Sequence, residues 1–115
     1  MQENCIFCQI VAGKLSAEIV YQDDEITAFW DQRPAAPIHI LVVPNKHISS
    51  VNEVEAEDAA LLGRLILKAR EIAEEQGVRD TGYRLLVNVG EGGGQSVFHL
   101  HVHLFAGEHL LSIHC

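Results

Sequence analysis

The sequence predicts an α+β fold built on a mostly antiparallel five-stranded sheet, with one long helix and one short one. Three observations carry this. About five segments have strand-like composition. One stretch repeats apolar residues at helical spacing. The strand-like segments follow one another as hairpins, without the strand–helix–strand rhythm that builds parallel sheets.

Taken in order, residues 5–12 (CIFCQIVA) read as a short helix stopped by Gly13-Lys14. Glu18 to Gln22 reads as a strand, Asp23-Asp24 as its turn, and Glu25 to Trp30 as the returning strand of a hairpin. DQRPAAP contains Pro34 and Pro37 and reads as a loop. Ile38 to Val43 is β-branched and apolar, a buried strand closed by Pro44-Asn45. The main helix runs from about Glu55 to Gln76, because Leu61, Leu62, Leu65, Ile66, Ala69, Ile72 and Ala73 recur at helical spacing. Asn52 with Glu55 offers an N-terminal box and Gly77 a stop. Tyr83 to Val89 reads as a strand with Tyr83, Leu85, Val87 and Val89 on one face, and Glu91-Gly92-Gly93-Gly94 as a turn. Val97 to Phe105 is the last clear strand.

The 115 residues are the length of one domain, read here as spanning residues 1–115. Apolar residues at 48% and charged residues at 21% mark a globular chain. Sixteen acidic residues against eight basic ones give a net charge of −8, which excludes a general nucleic-acid binder and a binder of anionic membranes. No apolar run approaches the ~18 residues of a membrane span. MQENCIFCQI has no basic, apolar leader, so a reducing cytoplasm is the expected compartment. In that setting Cys5-x-x-Cys8, two of three cysteines, reads as metal or redox chemistry before a disulfide.

Three of the seven histidines alternate in Val97-Phe98-His99-Leu100-His101-Val102-His103-Leu104-Phe105. On a strand, His99, His101 and His103 would share one face at intervals of about 6.5–7 Å, with Leu100, Val102 and Leu104 facing a core. Buried imidazoles need hydrogen-bond partners, and three in a row need a reason. Two chemistries use such an array: metal binding by neutral rings, and nucleophilic attack at phosphorus. Gly92-Gly93-Gly94-Gln95-Ser96 leads into it. Glycine amides can approach an anion closely and Gln95 and Ser96 add donors, so the turn favours a phosphate site.

GGGQSVFHLHVHLFAG resembles the signature of the histidine triad superfamily. The resemblance extends through IFCQIVAGKLSAEIVYQDDEITAFWD, PAAPIHILVVPNKHIS and YRLLVNVGEGGGQSVFHLHVHL. The Gly-Gln-Ser lead-in is closest to the nucleotide-binding (Hint) branch. The resemblance implies hydrolysis of purine nucleoside 5′-phosphoramidates and related nucleotidyl esters through a covalent nucleotidyl-histidine. It assigns His101 as the nucleophile, His103 as a phosphate contact and His39 as the residue that orients the triad. Ser96 and Gln95 would hold phosphate or leaving-group oxygens, with Asn88 and Gly94 in the phosphate shell. Asp31 would accept from both ribose hydroxyls, and Phe7, Ile10, Leu15 and Phe29 would line the purine slot. Gln32 stands where the family usually has isoleucine. No catalytic metal is implied, because fixed donors serve the transition state.

The resemblance also supplies a use for the cysteines. Many microbial members carry a Cys, Cys, His, His set, here Cys5, Cys8, His47 and His99, which would close a structural zinc site. Buried free thiols or a redox pair are the other readings. Family members form homodimers that merge two five-stranded sheets into ten strands. The tail from residue 106 departs from the family, and His109, His114 and Cys115 have no counterpart there. Rival functions are a dinucleoside polyphosphate hydrolase or nucleotidyltransferase of the same superfamily, and a zinc-bearing nucleotide-binding scaffold with incidental hydrolysis.

Overall fold

The computed structural model describes residues 2–107; the tail histidines His109 and His114, and Cys115, lie outside them. The elements run α1 (Ile6–Val11), β1 (Ile19–Gln22), β2 (Ile26–Trp30), β3 (Ile38–Pro44), α2 (Ala59–Glu75), β4 (Tyr83–Leu86) and β5 (Val102–Ala106). Among the described residues the strands form one sheet in the order β1-β2-β3-β5-β4. Every neighbouring pair is antiparallel. The expected α+β class and five-stranded sheet are therefore observed. No helix among the described residues is long and apolar enough to cross a membrane.

Local chemistry explains the element ends. The Cys5 sulfur caps α1 by accepting from the Cys8 N–H at 3.3 Å. The β1–β2 turn is held by Asp23, whose Oδ1 accepts from the amides of Glu25 and Ile26, both at 2.8 Å. Gly77, at φ +77°, ends α2. Its N–H donates to the Glu74 carbonyl and the Val78 N–H to Ala73, the two bonds of a Schellman stop.

Three boundaries differ from the sequence reading. The helix starts at Ala59, after 3₁₀ turns at Val51–Glu53 and Ala56–Asp58. Its box is formed by Glu55 and Asp58, while Asn52 is the residue whose amide Ser50 caps at 3.1 Å. The fourth strand ends at Leu86, not Val89, and the fifth begins at Val102, not Val97. These two shifts have one cause. Leu86 pairs with His103, and Val102 with Val42, so a longer β5 would set His101 against Val43 and then have to pair Leu100 with Pro44. Proline has no N–H for a ladder, and the Pro44 carbonyl is already taken by the His99 ring. With β5 starting at Val102, residues 88 and 89 have no strand residue opposite them.

α2 lies on one face of the sheet. Leu61, Leu65, Ala69, Ile72 and Ala73 pack there against Ile40, Val42, Val102 and Leu104 in one dry cluster. The other face carries α1. Phe7, Cys8 and Ile10 pack there with Phe29, Leu41 and Val43. That second face holds the histidines.

Candidate active site

Only His103 stands on β5; His99 lies in a bend and His101 in irregular chain just before the strand. The alternation survives the loss of pairing. Leu100, Val102 and Leu104 enter the dry core, and the rings gather on the other face, with His101 and His103 centroids 4.8 Å apart. The Leu100 N–H donates to the Ile48 carbonyl at 2.7 Å, which fixes the lead-in where the ladder has ended.

A carbonyl can only accept, so the ring contacts assign the tautomers. His99 Nε2–H donates to the Pro44 carbonyl at 2.7 Å, which leaves Nδ1 bare. His101 Nδ1–H donates to the His99 carbonyl at 2.7 Å, which leaves Nε2 bare. The Ala35 N–H donates to His39 Nδ1 at 3.1 Å, so the His39 proton is on Nε2 and is donated to His103 Nδ1 at 2.9 Å. His103 then carries its proton on Nε2, and that atom is buried without a partner in the protein. The bare His99 nitrogen faces the Cys5 and Cys8 sulfurs, so toward the site His101 presents a bare imidazole nitrogen beside an uncommitted imidazole donor on His103.

Burial keeps these rings neutral. It lowers His39 and His101 below the ordinary histidine range and takes His99 and His103 down to about 4. The neighbouring rings add to the lowering at His103. Phe7 meets the His101 ring edge-on at 5.1 Å, and Phe105 stacks on His103 at 5.3 Å. The Asp31 carboxylate lies 3.5 Å from His39 Nε2.

Phe7, edge-on to His101, is also part of the wall of a cavity of about 320 Å³ that none of the histidines lines. Phe7, Ile10, Leu15, Phe29 and Asp31 all line it, as does Ser96. The expected apolar slot, ribose carboxylate and hydroxyl are thus brought to one cavity. Gln32 lines it too, next to Arg33. The sequence reading missed Ile6, Ala17, Trp30, Leu41 and Val97 in its walls. Ile6 could have been found, since it stands four residues before Ile10 on α1. Leu41 could not, because it enters as the register partner of Phe29.

The glycine turn departs from expectation. The Gly93, Gly94 and Gln95 amides donate within the turn, to Gly90, Glu91 and Gly90 carbonyls, so they do not form an anion cradle. Gln95 is 4% exposed and its side chain is fully used. Its Oε1 accepts from the Gly90 N–H at 2.9 Å, and its Nε2 donates to the Ser49 and Val97 carbonyls at 2.7 and 3.0 Å. An amide has two protons to give, so Gln95 braces the loop and has none left for a phosphate. Asn88 is half-buried at the same turn, its Nδ2 3.5 Å from the Gly94 carbonyl.

Cys5, Cys8, His47 and His99 form a second cluster, with ligand atoms within 4.8 Å of one another. His99 Nδ1 lies 3.4 Å from Cys5 Sγ and 3.5 Å from Cys8 Sγ, and His47 Nδ1 lies 3.3 Å from Cys8 Sγ. Both cysteines are free thiols. Burial raises the Cys5 thiol and lowers His47. Two sulfurs and two imidazoles, with the His99 lone pair aimed inward by Pro44, fit a tetrahedral zinc ion.

Comparison with known proteins agrees with this geometry. The family described as scavenger mRNA decapping enzyme C-terminal binding matches residues 4–113. The purine nucleoside phosphoramidase of Escherichia coli K12 is 48% identical over 110 residues, 96% of this chain and 92% of that protein. A HIT family hydrolase from Legionella pneumophila superposes with TM-score 0.93 at 43% identity, covering 95% of this chain and 97% of its own. A histidine triad protein from Clostridium difficile gives TM-score 0.94 at 39% identity, covering 99% of each chain.

Proposed function

From the premise that this chain belongs to the histidine triad (HIT) family, we propose that it is a purine nucleoside phosphoramidase working through His101. The observation that carries this is the tautomer pattern: His101 Nδ1–H is committed to the His99 carbonyl, so its Nε2 lone pair is free to attack.

The reaction balances in two displacements. His101 Nε2 attacks the α-phosphorus of the phosphoramidate and forms a P–N bond. The bond to the departing amine breaks with its electron pair, and the amine takes up a proton. Water then attacks the same phosphorus and gives up a proton that replaces the one taken by the amine, the His101–phosphorus bond breaks with its electron pair returning to Nε2, and the nucleoside monophosphate leaves. The His103 Nε2–H is suited to the phosphoryl oxygens as charge builds on them. His39 holds His103 in the donating tautomer, and Ser96 offers a hydroxyl at the cavity wall. Asp31 suits the ribose hydroxyls, and Phe7, Ile10, Leu15 and Phe29 suit a flat apolar base. Asn88 and Gly94 act through the shape of the glycine turn.

A structural zinc bound by Cys5, Cys8, His47 and His99 would tie α1 to the chain entering β5, and it has no open position for water. The buried thiols of this set support a reducing, cytoplasmic location. A C2 homodimer is supported by two exposed features. β4 is an edge strand, and Ile66 on α2 is 47% exposed. Residues 1–115 act as one domain in this reading.

Acid-quenched intact-protein mass spectrometry with adenosine 5′-phosphoramidate tests it. The expected result is a transient adduct of one AMP mapping to His101. AMP release that survives loss of the His101 ring would overturn the assignment.

A further inference from the structure

The loop joining β2 to β3 folds back so that the Ala35 N–H meets the ring of His39, four residues ahead. A neutral imidazole has one N–H to place. With Nδ1 accepting from Ala35, His39 gives its Nε2–H to His103 Nδ1, and the only proton of His103 is left on the buried, unpartnered Nε2. Together with the Asp31 carboxylate 3.5 Å from the same His39 Nε2, one main-chain amide thus sets, two rings away, whether the site offers an anion a donor or a lone pair. Without it, His39 could carry its proton on Nδ1. The bond between the rings would then reverse, and His103 would turn a bare nitrogen toward the phosphate.

The loop sits close because Gly107 makes room for it. A Cβ on Gly107 would come within 2.8 Å of Pro37 Cβ, and Gly107 has φ +102°. The contact lies one residue beyond the last rung of β3 with β5, Ile38 against Ala106. The Asp31 N–H donates to the His39 carbonyl at 3.0 Å and closes the other side of the loop.

We propose that the Ala35 N–H is a positioning group for the reaction, setting the tautomers of His39 and His103 so that His103 gives an Nε2–H to the phosphoryl oxygens, and that Gly107 lets the loop seat closely enough to do so. This rests on the reading of His103 as the phosphate donor. The burial that keeps both rings neutral holds each to a single proton, so the setting is all-or-none at each ring.

Histidine tautomers are read directly by two-bond ¹H–¹⁵N correlation on the full chain labelled at histidine. His39 and His103 are expected as Nε2–H tautomers at neutral pH in the unliganded protein. His103 found as Nδ1–H overturns the proposal before any variant is made. Replacing alanine 35 by its α-hydroxy acid removes only the N–H. The expected result is a shift of His103 toward Nδ1–H and a fall in kcat on the order of 10²-fold, with AMP affinity nearly unchanged. Unchanged tautomers with unchanged kcat overturn it. Gly107→Ala should shift the tautomers less, and adding Pro37→Gly should reverse part of that shift; if no part reverses, the assignment to Gly107 fails. A His103→Ala enzyme with undiminished kcat would remove the donor reading itself. An impaired His103→Ala enzyme beside an unimpaired ester variant overturns the Ala35 proposal alone.

Discussion

The two faces of the sheet are built from alternate residues of the same strands, yet they are held by different forces. On the α2 face, Ile40, Val42, Val102 and Leu104 meet Leu65, Ala69 and Ile72 in one apolar cluster. What counts there is area removed from water and the absence of voids. On the α1 face, His39 and His103 alternate with those residues, and each ring has a fixed partner at a fixed distance. What counts there is which nitrogen carries the proton. An error on the first face costs stability. An error on the second costs chemistry.

That contrast can be broken or sharpened by measurement. The largest effect is expected at His101. His101→Ala should lower turnover of adenosine phosphoramidate by roughly 10⁴-fold or more, while the melting temperature moves little. Steady-state kinetics and calorimetry on one preparation decide it, and a variant that unfolds but keeps its specific activity would reverse the contrast. The proposed zinc set comes next, because a bound ion would tie a six-residue helix that has too few residues to hold itself. Cys8→Ala should abolish stoichiometric zinc by elemental analysis and lower the melting temperature by on the order of 10 °C. Wild-type protein free of zinc after growth in zinc-replete medium would remove the metal from the account.

On the dry face, Leu65 is 1% exposed. Leu65→Ala should cost about 2–5 kcal/mol in urea unfolding, with kcat of the folded enzyme within a factor of two or so of wild type. The smallest effect is in pH. His103 falls from the ordinary 6.5 to about 4 in the folded chain through burial, and His39 is also lowered. Between those values the unfolded chain binds more protons than the folded one, so stability is full above about 6.5 and is lost as pH falls toward 4. The melting temperature should decline over that window, and less steeply in His103→Gln. A flat profile would mean that these rings are not buried neutral.

Much of this was legible in the sequence, and the limits have physical causes. Alternation in residues 97–105 gave the side each ring faces, because Leu100, Val102 and Leu104 are drawn into the core and turn the histidines between them the other way, even before the strand begins. It could not give the length of the strand, since a ladder needs a neighbour, and the neighbour fails at Pro44. The cavity residues Phe7, Ile10, Phe29 and Asp31 were legible through the family resemblance, whereas Leu41 required the register of β2 on β3. Gln95 was misread for a different reason. Its residue type suits a phosphate, but whether its two protons are already spent depends on Ser49, 46 residues away. The Ala35 amide left no trace, because every residue but proline carries one.

Trp30 has been described only as part of the cavity wall, but it is the single tryptophan of the chain and is half-buried there. The protein therefore comes with its own optical probe. Its side chain also packs against the α2-face cluster, so whatever a base in the slot changes at this wall reaches one indole and no other, and emission of the unmodified enzyme reports it against a background of two tyrosines. Binding, adduct formation and product departure can each be timed in a stopped-flow trace, with no label attached and no residue exchanged.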